Sequence, residues 1–156
     1  MDSLRSLTGT WVGEGAGDFP TIEAFRYRET LRFEFDDSYP LLHYVQRTWL
    51  LADDEPSHWE SGFVQRLEDG VLEVSNAQNG GRVEVLRGRA TSEGVGDLTL
   101  ELDSLALGND PRLRRTRRLI RVRGDSLHYI QWMTTWTTET PQMLQHLEAR
   151  LLRTAE

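Results

Sequence analysis

From Phe25 to Phe35 the chain alternates. Phe25, Tyr27, Leu31, Phe33 and Phe35 fall on one parity, and Ala24, Arg26, Arg28, Thr30, Arg32 and Glu34 fall on the other. A period of two with aromatics on one side is the signature of a half-buried β-strand. The alternation then recurs between turns. "LLHYVQRTWLL" follows Pro40 and ends at "ADDEP"; "SHWESGFVQRL" runs to "EDG"; "VLEVSNAQ" runs to "NGG", a hairpin signal. "RVEVLRGRAT" runs to "EGVGD", "LTLELDS" follows, "GNDP" opens "RLRRTRRLIRVRG", and "SLHYIQWMTTWT" leads through "TETP" to "QMLQHLEARLLR". With a first strand at Gly9 to Glu14, the count is about ten short strands with no room for crossover helices. The helix candidates are "DSLRSL" and a turn around Pro141 to Leu144.

This pattern predicts an all-β fold: a ten-stranded antiparallel up-and-down β-barrel with a short N-terminal helix, residues 1–156 forming one domain. Closure removes the exposed edges of so long a meander. A barrel of more than eight strands is too wide for its own side chains to fill, so a ligand cavity is expected.

The opening "GTWVGEGAGDFP" places Gly13 and Gly15 at the first spacing of a dinucleotide fingerprint, but Asp18 stands where the third glycine belongs, and no helix follows. These glycines belong to the first strand, where glycine marks a bend or a close backbone approach.

Composition narrows the chemistry. There is no cysteine, hence no disulfide framework, thiolate metal site or covalent haem attachment. The net charge of −7 argues against a general nucleic-acid binder, despite the seven arginines between Arg112 and Gly124. "MDSLRSLTGTW" lacks the apolar core of a signal peptide, and no stretch approaches the roughly 20 apolar residues of a membrane span. A cytoplasmic protein without membrane attachment is the expectation, and a homodimer is compatible with it.

Gly9-x-Trp11 resembles the Gly-x-Trp signature of lipocalin and fatty-acid-binding barrels, in which the Trp plugs one barrel end under a late-strand arginine; Arg150 and Arg153 are the candidates. More specifically, "GTWVGEG" (Gly9, Trp11, Gly13, Gly15) resembles the opening motif of the nitrobindin family. "GDFPTIEAFRYRE", "LHYVQRTW", "PSHWESGFVQR", "NAQNGGRVEVLRG" and "QHLEARLLR" continue the resemblance in order over nearly the whole chain. It implies a barrel holding one non-covalent b-type haem, binding nitric oxide and converting peroxynitrite to nitrate at ferric iron. It also implies His146 as axial iron ligand and Thr21 as a haem contact. Arg118 is a candidate partner for a haem propionate, by its place on the arginine strand.

His58 and Glu60 share a strand face and read as a structural hydrogen-bonded pair; His43 and His128 lie on other strands, and no histidine spacing suits zinc. Two departures from the family pattern stand out. "FEFDDSYP" lacks a His–Gly pair often seen before that proline, and "MTTWTTETPQ" is a few residues longer than usual just before the "QHLEARLLR" block, with Trp132 and Trp136 nearby. The rival readings are a carrier of a fatty acid or other apolar ligand, and a haem-based nitric oxide sensor.

Overall fold

The computed structural model describes residues 2–155, with side chains from residue 3. A short 3-10 helix, Asp2–Leu7, precedes ten strands: β1 (Gly9–Phe19), β2 (Ile22–Asp36), β3 (Leu41–Leu50), β4 (Pro56–Arg66), β5 (Leu72–Gln78), β6 (Val83–Thr91), β7 (Asp97–Gly108), β8 (Leu113–Arg123), β9 (Ser126–Thr135) and β10 (Leu144–Arg153). Each pairs antiparallel with its neighbours in sequence, and β1 pairs with β10, so the sheet closes. The expected all-β barrel is borne out. The second helix candidate is not: residues 141–143 carry no regular structure and the chain enters β10 at Leu144. Threonine hydroxyls organise the preceding turn instead, Thr138 Oγ1 donating to the carbonyls of Thr135 (3.3 Å) and Thr140 (3.4 Å).

β1 is longer than the sequence suggested, and its inward parity reads Trp11, Gly13, Gly15, Gly17, Phe19. The glycines make room for rings. Tyr27 and Phe25 are the cross-strand partners of Gly15 and Gly17, and a Cβ at those glycines would lie 2.4 Å and 2.2 Å from the Tyr27 and Phe25 rings. Gly9, at φ +118°, meets a different need, turning the backbone out of the 3-10 helix.

The helix seals one end of the barrel. Leu4, Leu7 and Trp11 are fully buried, and Trp11 Nε1 donates to the Leu7 carbonyl at 2.7 Å. The Arg153 guanidinium lies 4.0 Å from the centre of the Trp11 ring and also donates to the carbonyls of Ser6 and Thr8. Arg153, not the solvent-facing Arg150, is therefore the cation that covers the plug. Phe19 sits eight residues along β1 from Trp11, roughly 26 Å at strand rise, and marks the opposite, open end.

Trp11→Ala is expected to lower unfolding free energy by roughly 3–5 kcal/mol, the cost of truncating a buried Trp. Urea unfolding checks this; an unchanged midpoint would remove Trp11 from its role as the plug.

Candidate functional site

His146 stands at the open end, on β10. The inward residues of that strand are Leu147, Ala149 and Leu151, and strict alternation would send His146 outward with Glu148 and Arg150. The register shifts between Gln145 and Leu147, making His146 the extra residue of a β-bulge. Bulges re-aim side chains. This one brings the imidazole to the rim, where it borders an inner hollow of about 270 Å³ and an outer groove of about 770 Å³.

The ring is fixed on three sides. Nδ1 lies 3.1 Å from the Asp18 carbonyl, which can only accept, so Nδ1 carries the proton and donates. Phe19 and Phe25 meet the ring edge-on at 5.9 Å and 6.4 Å between centres. Desolvation pushes the imidazole pKa down, partly opposed by the bond to Asp18, so the ring is neutral at pH 7. Among the described residues Nε2 has no hydrogen-bond partner. A neutral imidazole, oriented through Nδ1 and with a free Nε2, has the donor chemistry that an iron porphyrin requires; Trp132, Met133 and Leu147 give the hollow an apolar side, and the rest of its lining is polar.

Below the inner hollow the barrel is filled by buried charge. Arg118 (β8) donates to Glu60 (β4) at 2.6 Å and 3.1 Å and also to Glu84 (β6); Tyr44 donates to Glu60, and Asn76 to Glu84 at 3.2 Å. Burial alone would raise the Glu60 pKa, but the Arg118 guanidinium and hydrogen bonds from His58, Arg118 and Tyr44 outweigh it and hold the carboxyl far below its ordinary value. A second cluster lies beside the first. Glu29 accepts from Tyr129 at 2.5 Å and from Gln46 at 2.7 Å, and Tyr27 Oη meets Tyr129 Oη at 2.7 Å. Desolvation raises the Glu29 pKa to about 7, against the lowering effect of those two hydrogen bonds. The apolar void left inside is only about 40 Å³. The wide empty interior expected of a ten-stranded barrel is thus absent, and the room for a ligand is at the mouth.

The sequence candidates distribute unevenly around this site. His146 faces it. Thr21 occupies the exposed β1–β2 turn at the same end and lines neither hollow. Arg118 borders the inner hollow, but its guanidinium is engaged by two carboxylates, and a propionate would have to displace one of them. Gly9 and Trp11 belong to the sealed end, and Gly13 and Gly15 to the β1 wall. His58 Nε2 lies 3.3 Å from Glu60 Oε2, the pairing expected, and its ring also faces the inner hollow. His43 and His128 are on the outer face, bonded to Ser61 (2.9 Å) and Glu148 (2.7 Å). Trp132 lines the hollow, whereas Trp136 is exposed beneath Arg114.

Sequence reasoning missed Arg82, and from the arginine run it singled out Arg118 rather than Arg112. Arg82 and Arg112 both border the inner hollow and share Asp110, at 2.7 Å and 3.0 Å, while Arg82 Nε is buried and has no hydrogen-bond partner among the described residues. It also missed Glu29, although that residue lies on the same parity as Tyr27 and Leu31.

A closed ten-stranded barrel with an oriented histidine at its mouth is the architecture of a small haem-binding β-barrel. Residues 1–153 match the family described as "THAP4-like, heme-binding beta-barrel domain", and the chain belongs to that family. It is 36% identical over 148 residues to a peroxynitrite isomerase of Arabidopsis thaliana, covering 95% of this chain and 85% of that protein. It is 34% identical over 154 residues to peroxynitrite isomerase 1 of Rhodococcus jostii, covering 97% and 82%. The crystal structure of Rv2717c from M. tuberculosis matches with a TM-score of 0.90 at 31% identity, over 99% of this chain and 96% of that one. The resemblance to nitrobindin barrels is borne out. Among the described residues no helix is long and apolar enough to cross a membrane.

The Glu29 carboxyl sets a pH dependence. It keeps its proton up to about pH 7 in the native state and releases it near 4.5 when unfolded, so the native state binds more protons across that window. Its stabilising contribution is whole below about pH 4.5 and lost as pH rises through about 7. Glu29→Gln is expected to flatten this slope, on the order of 3 kcal/mol, in urea unfolding of the cofactor-free protein at pH values across the window. An equal slope in both proteins would place the Glu29 proton elsewhere.

Proposed function

We propose that this protein is a peroxynitrite isomerase that holds one non-covalent b-type haem on His146, its single protein ligand to iron, and also binds nitric oxide. The observation that carries the reading is the free Nε2 of a neutral imidazole, fixed through Nδ1 on the Asp18 carbonyl at the barrel mouth. When bound, the haem supplies a ferric iron that takes up the peroxynitrite anion and on which it is rearranged to nitrate.

The chain's own residues bind and orient. Asp18 holds the imidazole in one tautomer, and Phe19 and Phe25 keep water from its edge. Arg82 and Arg112 stand at the hollow as partners for propionate carboxylates, Arg82 with an unused Nε–H. Thr21 is a haem contact in this reading, from the turn beside Asp18. Residues 1–156 act as one cytoplasmic domain on small molecules.

The filled interior argues against the lipid-carrier alternative. A void of about 40 Å³ beside a buried Arg118–Glu60–Glu84 cluster has no room for an acyl chain.

A haemin titration followed in the Soret region tests the ligand. His146→Ala is expected to stay folded, lose the wild-type spectrum and lose acceleration of peroxynitrite decay to nitrate. His58→Ala is expected to keep the spectrum. The reverse result would move the ligand to His58, and no uptake by wild type would remove the cofactor from this reading.

A further inference from the structure

The Glu29 cluster plays no part in haem ligation or isomerisation, yet it is joined to the site by a continuous path. The ring centres of His146 and Phe25 are 6.4 Å apart, and those of Phe25 and Tyr27 are 6.0 Å apart. The Tyr27 and Tyr129 hydroxyl oxygens are 2.7 Å apart, and Tyr129 Oη lies 2.5 Å from Glu29 Oε2. We propose that Tyr129, with Glu29 as its base and Tyr27 and Phe25 as the bridge, is a one-electron donor to the haem site, an activity distinct from isomerisation. The inference rests on the cofactor reading above.

The chemistry fits each atom. A phenol gives up an electron readily only if its proton leaves at the same time. Tyr129 donates its hydroxyl hydrogen to Glu29, so the proton has an acceptor already in contact. Above about pH 7 Glu29 has lost the proton it otherwise holds, and a carboxylate whose pKa is raised by desolvation takes one back more readily than an ordinary carboxylate does. The phenolic oxygen in turn accepts from Gln46 Nε2 at 3.3 Å and, since its own hydrogen is committed to Glu29, from the Tyr27 hydroxyl. Those two donors would stabilise the oxygen-centred radical. Tyr129 is 3% exposed and Tyr27 2%, so the radical would be shielded from solvent and from coupling to a second ring.

The co-reactant is a hydroperoxide. Its O–O bond would break at the haem, the RO oxygen leaving as the alcohol with the hydroperoxide's own proton and the terminal oxygen staying at the haem site, which would be left two electrons short of its resting state. One electron comes from Tyr129. The Tyr129 O–H bond breaks, its proton forms an O–H bond on Glu29 Oε2, and a neutral tyrosyl radical remains while the haem keeps a deficit of one electron. A purely structural cluster would satisfy the same hydrogen bonds without supplying that electron.

The test is electron paramagnetic resonance on haemin-loaded protein mixed, above the Glu29 pKa of about 7, with tert-butyl hydroperoxide and frozen within the reaction, with and without ring-deuterated tyrosine. Wild type is expected to give a radical signal that narrows on deuteration. Tyr129→Phe should lose most of it with the Soret band retained, and Glu29→Gln should slow its formation by about tenfold or more. Tyr39→Phe, on an exposed turn, should leave it unchanged. No radical in wild type, a radical blind to deuteration (an oxidised Trp132, which lines the hollow), or one untouched by Tyr129→Phe overturns the proposal. If Tyr129→Phe does not take up haemin, Glu29→Gln decides alone, since it keeps an acceptor oxygen but not the base. Haemin uptake by wild type is scored first, because its absence overturns the cofactor reading and not the donor pair. In that case the cofactor-free barrel is oxidised with photogenerated tris(bipyridine)ruthenium(III). A deuteration-sensitive radical lost in Tyr129→Phe then supports the pair, and any other result overturns it.

Discussion

Ten strands enclose more width than apolar side chains can span, and this barrel closes the gap with charge. Arg118 reaches across the lumen to carboxylates from two strands that are not its neighbours. A guanidinium buried among leucines and valines would be intolerable alone; held by two carboxylates that are themselves hydrogen-bonded, it becomes a brace. Removing one member would leave a buried charge unpaired, so β4, β6 and β8 are fixed relative to one another by side chains as well as by their ladders. The Glu29–Tyr129–Gln46 group does the same for β2, β3 and β9.

This filling decides where a ligand goes. The sealed end is occupied by Trp11, Arg153 and the 3-10 helix, and the middle by the two polar clusters. The open end keeps the hollow, with His146 at its edge and Arg118 and Glu60 at its floor. The same fold with an apolar, empty lumen would suit a lipid. Here the polar floor limits a ligand to the mouth.

Most of the strands were legible because period two survives any tertiary context that buries one face. β1 and β2 illustrate both success and shortfall. The aromatic parity of Phe25 to Phe35 was plain, and so was the strand character of the glycines, but not their purpose. Gly15 and Gly17 are small because Tyr27 and Phe25 lie over them, and that contact exists only once the register is known. Glu29 was in view on the inward parity, yet a carboxylate there looks like a lapse in the pattern until Tyr129 and Gln46 arrive from distant strands. His146 is the opposite case. Parity points it to solvent, and only family resemblance singled it out, because a bulge depends on the pairing of two strands and leaves no mark in either alone. Arg118 was picked for its charge, but nothing local could tell that Glu60 and Glu84 would engage it.

The bulge at His146 has a consequence for how such a site is inherited. Its presentation to the mouth depends on β10 having one residue more than β9 between Gln145 and Leu147. The position is therefore specified by chain length as much as by identity. Loss of a single neighbouring residue would leave every histidine in the sequence and the barrel still closed, yet turn the imidazole to the outside. Within a lineage, then, a deletion that keeps every histidine can still take the imidazole away from the mouth.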